Sequence, residues 1–335
     1  MNRSERIFAA SLALAAIATV AGCSKSDNAK SPGQPNSGAQ TVSARPVGPV
    51  TLKVKWTAGK EYALRLEQSE TVEFKVPDDP KPAKEVRKTT MDYSVSVLKE
   101  LADGGCELEF KLTACKLDFT NGNRQTLNFD SRRDARPNPG DPVGTMFDKF
   151  IGEPVRLVLD TEGKVTRVEG VNELVGRVTG NGPPQIKGMF KQMFNEDSLK
   201  QLGTVAEGLP DYPVNVGDHW PVNLELPNAI GIIVIHLTDT FKEWESRGGR
   251  QCVRIAFKGD ISSRPGPNSA NASAKLENGD ISGETWFDPA LGMVVQSDDT
   301  EEMPLQIKNR GRMITGQIHR KASRTLRDVT GIGKT

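Results

Sequence analysis

From about residue 50 onward, apolar and polar side chains alternate with a period of two, and glycine-rich turns punctuate the alternation. A chain written this way can bury one face of an extended strand and wet the other, which is the pattern of an antiparallel sheet. Val50, Leu52, Val54 and Trp56 share one phase, with Thr51, Lys53 and Lys55 on the other. Tyr62, Leu64 and Leu66 resume the pattern after Ala58-Gly59-Lys60. Residues 78–84, beside Pro77, Pro80 and Pro82, read as a hairpin loop, and Tyr93, Val95 and Val97 lie on the return strand. Asp103-Gly104-Gly105 is a turn signal. Leu108, Phe110 and Leu112 follow it, and the phase then slips by one to Cys115, Leu117 and Phe119, which predicts a β-bulge near Ala114. Residues 131–142 read as a polar loop. Val155, Leu157 and Leu159 form a strand that turns at Asp160-Thr161-Glu162-Gly163 and returns through Val165 and Val168.

The period changes near residue 171. Residues 171–178 predict a short helix ended by Gly180-Asn181-Gly182, and Ile186, Met189, Phe190, Met193 and Phe194 fall at helical spacing on one face. That face either packs on a sheet or covers an apolar cavity as a lid, because methionine adapts to irregular partners. Leu199, Leu202 and Val205 extend the helical insert toward Gly208. Strands return with Val222, Leu224 and Leu226. The continuous apolar run 230–237 predicts a strand buried on both faces. Val253, Ile255 and Phe257 alternate, residues 264–274 read as a loop, and Trp286, Phe287, Met293, Val294 and Val295 flank a turn at Asp288-Pro289. A last hairpin over 294–326 turns near Asn309-Arg310-Gly311. It sets Asp298, Asp299, Glu301 and Glu302 against the basic residues Lys308, Arg310, Arg312, Arg320, Lys321, Arg324 and Arg327, with Asp299 opposite Arg320 or Lys321.

The two strand-rich stretches echo one another. Gly59-Lys60-Glu61-Tyr62 lines up with Gly217-Asp218-His219-Trp220; Gly104-Gly105-Cys106 with Gly248-Gly249 before Cys252; and Leu159-Asp160 before Gly163 with Phe287-Asp288 before Gly292. The expected fold is mainly β: a large antiparallel, duplicated and curved sheet body with a central helical insert. Its parts are an N-terminal β half (50–170), the insert (171–208) and a C-terminal β half (209–330).

Arg3 and Arg6 precede an apolar run over 7–20 that ends in Val20-Ala21-Gly22-Cys23. The run fits the h-region of a secretory signal, about 7–15 residues, better than a membrane span of about 20. Its end resembles a bacterial lipobox. The resemblance implies removal of residues 1–22 and lipidation of Cys23 by palmitate-like chains, each buried CH₂ adding about 0.8 kcal/mol of membrane attachment. Ser24 in place of Asp favours the outer membrane, facing the periplasm. Residues 24–49 are rich in Ser, Gly, Pro, Asn and Ala, a composition that cannot bury a core. Together with Cys23 they read as a flexible tether of roughly 25–30 Å reach.

Little else announces chemistry. The formal net charge is +1 and aromatic residues make up 6%, which gives no footprint for nucleic acid. His219, His236 and His319 are far apart and lack ligand-like partners at helical spacing, so no metal site is expected. Asp218-His219 reads as a turn entering a strand rather than as a catalytic pair. Ser96-Val97-Leu98-Lys99 and Ser26-Asp27-Asn28 occur in the wrong order for the penicillin-binding signature, no Gly-x-Ser-x-Gly elbow or phosphate loop is present, and Asp160–Gly163 is too short for a calcium loop. After Cys23 three cysteines remain, Cys106, Cys115 and Cys252. Cys252 could pair with either of the others in an oxidising compartment, or all three could be buried thiols.

The stretches from Leu209 to Trp220 and from Trp286 to Val295, with Lys55-Trp56, Gly59-Lys60 and Tyr62, resemble a family of uncharacterised bacterial β-rich lipoproteins of unknown function. The resemblance implies a class and no activity. The expectation is a non-enzymatic envelope lipoprotein without cofactor or metal, anchored to the membrane through Cys23, that binds an apolar small molecule or an envelope protein; the alternative is a structural or assembly lipoprotein without a small ligand.

Overall fold

A computed structural model describes residues 48–75, 82–133, 142–180, 208–228, 231–266, 274–309 and 312–332. Cys23, the tether and the Met/Phe face at Ile186, Met189, Phe190, Met193 and Phe194 lie outside the described residues.

The described residues form one antiparallel sheet of thirteen strands and two short helices. In chain order the elements are β1 (Lys60–Lys75), β2 (Ala83–Glu100), β3 (Cys106–Asn121), β4 (Arg124–Asp130), α1 (Pro142–Phe150), β5 (Pro154–Leu159), β6 (Val165–Glu169), α2 (Val171–Thr179), β7 (His219–Asn228), β8 (Gly231–Arg247), β9 (Arg250–Arg264), β10 (Ala274–Leu276), β11 (Gly279–Asp288), β12 (Met293–Asn309) and β13 (Arg312–Gly331). Across the sheet the order is β6-β5-β3-β2-β1-β13-β12-β11-β9-β8-β7, with β4 on β3 and β10 on β12.

The first half meanders through β1, β2, β3, β5 and β6, with β4 as a side strand. The second half repeats that order through β7, β8, β9, β11 and β12, with β10 in the corresponding place in the chain. Strand β13 then joins β12 to β1. A duplicated unit requires this order. The landmark glycines sit at equivalent turns and share a left-handed backbone: Gly59 and Gly217, Gly104 and Gly248, Gly163 and Gly292 all have positive φ. At the last pair each glycine N–H closes its turn onto the aspartate carbonyl, Gly163 onto Asp160 three residues back and Gly292 onto Asp288 four residues back. A side chain at Gly292 would also collide with Lys55, whose backbone N–H donates to the Gly292 carbonyl.

Two cores fill the fold. One gathers β3, β5, α1 and α2 around Leu108, Phe147, Phe150, Leu157 and Leu174. The other gathers the C-terminal strands around Ile233, Ile235, Phe241, Ile255 and Phe287, and takes in Val72 and Phe74 from β1. Each such side chain contributes roughly 1.5–3 kcal/mol on burial.

The predicted bulge is present: Asp92 faces Ala114 while Tyr93 faces Leu112, so Thr113 is the extra residue. Three expectations need correction. Residues 51–57 alternate in burial but join no strand; only Val50 bridges, to Val214. Residues 231–237 in β8 are not buried on both faces. Ile233, Ile235 and Leu237 are buried, whereas Ile232 and Val234 are half-buried and His236 is exposed, because one face of the sheet stays near water. In the β12–β13 hairpin, Asp299 faces Ala322 and Glu301 faces Arg320, in the register that pairs Asn309 with Arg312. Helix α1 was not foreseen. All three cysteines are free and buried, and burial raises the thiols of Cys106 to about 11 and of Cys115 and Cys252 to about 12.

Candidate ligand cavity

The two cores do not close completely on each other. Where they meet lies a mostly apolar cavity of about 160 Å³. Leu64 from β1, Tyr93 and Val95 from β2, Leu108 and Phe110 from β3, and Leu157 from β5 line it on one side. Val222 from β7, Leu237 from β8 and Ile255 from β9 line the other. Strands β5 and β7 stand near opposite ends of the strand order, so the sheet must curve for their side chains to share one space. Val54 and Trp56 of the extended N-terminal segment, together with Gly208 and Leu209, complete the lining. Trp220 pins that last segment, its indole Nε1 donating to the Gly208 carbonyl at 3.0 Å.

Polar groups enter at few places. Thr285 and Ser297 line the cavity and hydrogen-bond each other at 3.1 Å. Arg324 reaches it from β13. Asp239 reaches it from β8, where it continues the buried row of Ile233, Ile235 and Leu237 and precedes Phe241. Its neighbours across the sheet are Trp220 on β7 and Phe257 on β9, both buried. Asp239 is 7% exposed, and its Oδ1 has no hydrogen-bond partner. Burial alone pushes the carboxyl from its ordinary 3.8 up to about 7. The sequence carried this signal: the period-two phase of the β8 row places Asp239 inward, where every other member is apolar.

A second polar feature crosses the centre of the sheet. Arg87 on β2, Glu70 on β1, Arg320 on β13 and Glu301 on β12 face one another in register on four adjacent strands. All four are at most 3% exposed, as are Glu85 and Asp299 beside them. Arg87 donates to Glu70 at 2.8 Å and to Glu85 at 2.6 Å, and Arg320 donates to Glu301. Four acids against two arginines leave the acids in excess. Burial raises the Asp299 carboxyl well above the usual range, and Glu301 beside it adds to the rise against the pull of Arg320 and Arg324. Burial likewise raises Glu70 against Arg87 and Arg320.

The histidines are not brought together. His219 opens β7 after a turn in which the Asp218 carboxylate accepts the Asn215 N–H at 2.7 Å. His236 meets Asp260 at 2.9 Å and His319 meets Glu302 at 3.6 Å, all at exposed positions. Among the described residues no group of three or more His, Cys, Asp or Glu side chains is placed to hold a metal ion, and no helix is long and apolar enough to cross a membrane.

Residues 103–294, more than half of the chain, match the model of a family of unknown function, DUF6263. No curated protein matches. Among solved structures, lipovitellin, studied for its lipid–protein interactions, matches at 11% identity and a TM-score of 0.44 over 84% of this chain; the chain spans only 26% of the lipovitellin chain. A candidate exported protein with a YmcC-like fold from Bacteroides fragilis matches at 11% identity and a TM-score of 0.29, over 84% of this chain and 99% of that one. DynF, from the dynemicin biosynthesis pathway of Micromonospora chersina, matches at 9% identity and a TM-score of 0.21, over 92% and 95% of the two chains. Likenesses this distant say nothing of function.

Proposed function

The chain belongs to DUF6263, a family of unknown function, and we propose that it is a non-enzymatic envelope lipoprotein that holds an apolar ligand inside its curved sheet. The cavity carries this reading. A gap of 160 Å³ lined mainly by Leu, Val, Ile and aromatic side chains forfeits packing that a solid core would keep. Cavities of about 150 Å³ with such walls stay dry and accept benzene. The space therefore suits a ring or a short run of alkyl chain, smaller than the roughly 300–1,000 Å³ of drug-sized sites. The lipobox-like Val20-Ala21-Gly22-Cys23 supplies the address: a lipid anchor on Cys23, in the outer membrane and facing the periplasm, with residues 24–49 as the tether.

One preparation tests both parts. The Cys23→Ala chain, expressed in a bacterium, is expected in the soluble fraction rather than in washed membranes. Its native mass is expected to exceed the covalent mass by a small apolar molecule that organic extraction removes. Membrane retention after salt washing contradicts the anchor. A bare native mass contradicts the ligand and shifts the assignment to a scaffold that recognises proteins.

A further inference from the structure

We infer that the cavity takes an amphiphile with a protonated amine at its head, and that Asp239 is the counter-ion that receives it; this deepens the ligand-binding reading above and rests on it. A carboxyl at an inward position of an apolar row is costly unless something satisfies it. Within the described residues nothing satisfies Oδ1 of Asp239, and its cross-strand neighbours Trp220 and Phe257 offer it no charge. Trp220 gives its one side-chain N–H donor to the Gly208 carbonyl. Arg324 lines the same cavity, yet it forms no ion pair with Asp239, and the rise of the Asp239 carboxyl has burial as its one cause. Asp239 itself lines the cavity, so a donor bound there is placed to meet its carboxyl. An ammonium group supplies both the charge and up to three donors, and in a desolvated site a charge-assisted bond is roughly twice as strong as a neutral one. An alcohol would leave the charge uncompensated, and a carboxylate would add a second anion beside the first. The remainder of the ligand would occupy the apolar wall of Leu108, Leu157, Val222 and Leu237.

The test titrates hexylamine, 1-hexanol and hexanoate, which share one six-carbon chain, into the Cys23→Ala chain and its Asp239→Asn and Asp239→Leu variants by calorimetry at pH 7.5, with circular dichroism to confirm that each variant folds. Hexylamine is expected to bind at least about 10-fold more tightly than the other two, and Asp239→Asn and Asp239→Leu to erase that preference while retaining 1-hexanol. Equal affinity for the three heads, tighter binding of hexanoate, or an amine preference that survives in Asp239→Asn overturns the inference. If benzene binds and hexylamine does not, only the head-group assignment fails. If neither binds, the cavity reading fails with it.

Discussion

Replacing Arg320 by alanine is expected to destabilise the fold by about 3–5 kcal/mol, the cost of breaking a buried ion pair from one side. Arg320 is among the largest fully buried side chains of the protein. It stands between Glu70 and Glu301 in register and also draws on Asp299. Its removal leaves those acids facing one another at the centre of the sheet, on the strand that joins the two halves. Substitution of an exposed arginine such as Arg264, which pairs with Glu225 at the surface, is expected to cost at most about 1 kcal/mol. Urea denaturation of the two variants gives the comparison. Equal midpoints would mean that the charge row is not buried as described.

The second large effect belongs to Asp239, and its sign follows from proton linkage. The carboxyl loses its proton near 3.8 in the unfolded chain and near 7 in the folded one. Between those values the folded state holds more protons, so this residue makes stability fall as pH rises through that window and leaves it level above and below. The full difference amounts to about 4 kcal/mol. Asp239→Asn keeps the shape and removes the titration. The variant is expected to match the parent near pH 4 and to exceed it by up to about 4 kcal/mol at pH 8. Glu70 and Asp299, also raised by burial, titrate in both proteins and cancel in the difference. A difference between the two proteins that does not change with pH would place Asp239 in contact with water or a fixed partner.

Much of the sheet was legible because antiparallel strands with one wet face write their period directly into the sequence. The bulge at Thr113, the turns at Gly104 and Gly163, and the repeated order of the two halves follow from that period and from glycines that must adopt positive φ. What failed was information the period does not hold. The run 230–237 is mostly apolar on both phases, yet Ile232 and Val234, on the phase that also carries the exposed His236, are left half-buried. The extended stretch 51–57 has strand-like alternation without strand partners. The β12–β13 register depended on a turn length that periodicity fixes only to within a residue or two. The cavity is a product of curvature that brings β5 and β7 residues to one space, so no single stretch could announce it. Asp239 was legible in the sequence as the single charged member of an otherwise apolar row. The acids of β12 and Arg320 of β13 read only as cross-strand charge pairs, and Glu70, Glu85 and Arg87 gave no sign in the sequence, since the burial of all of them is set by what packs over them.

The most direct measurement is the thermal midpoint of the Cys23→Ala chain with and without saturating benzene, alongside the variant Leu157→Phe, whose larger side chain takes up part of the cavity. A ligand that binds only the folded state raises the midpoint. The account predicts a rise for the parent cavity and a smaller one for Leu157→Phe. No rise in either protein, or the same rise in both, would contradict an apolar binding space between the two cores.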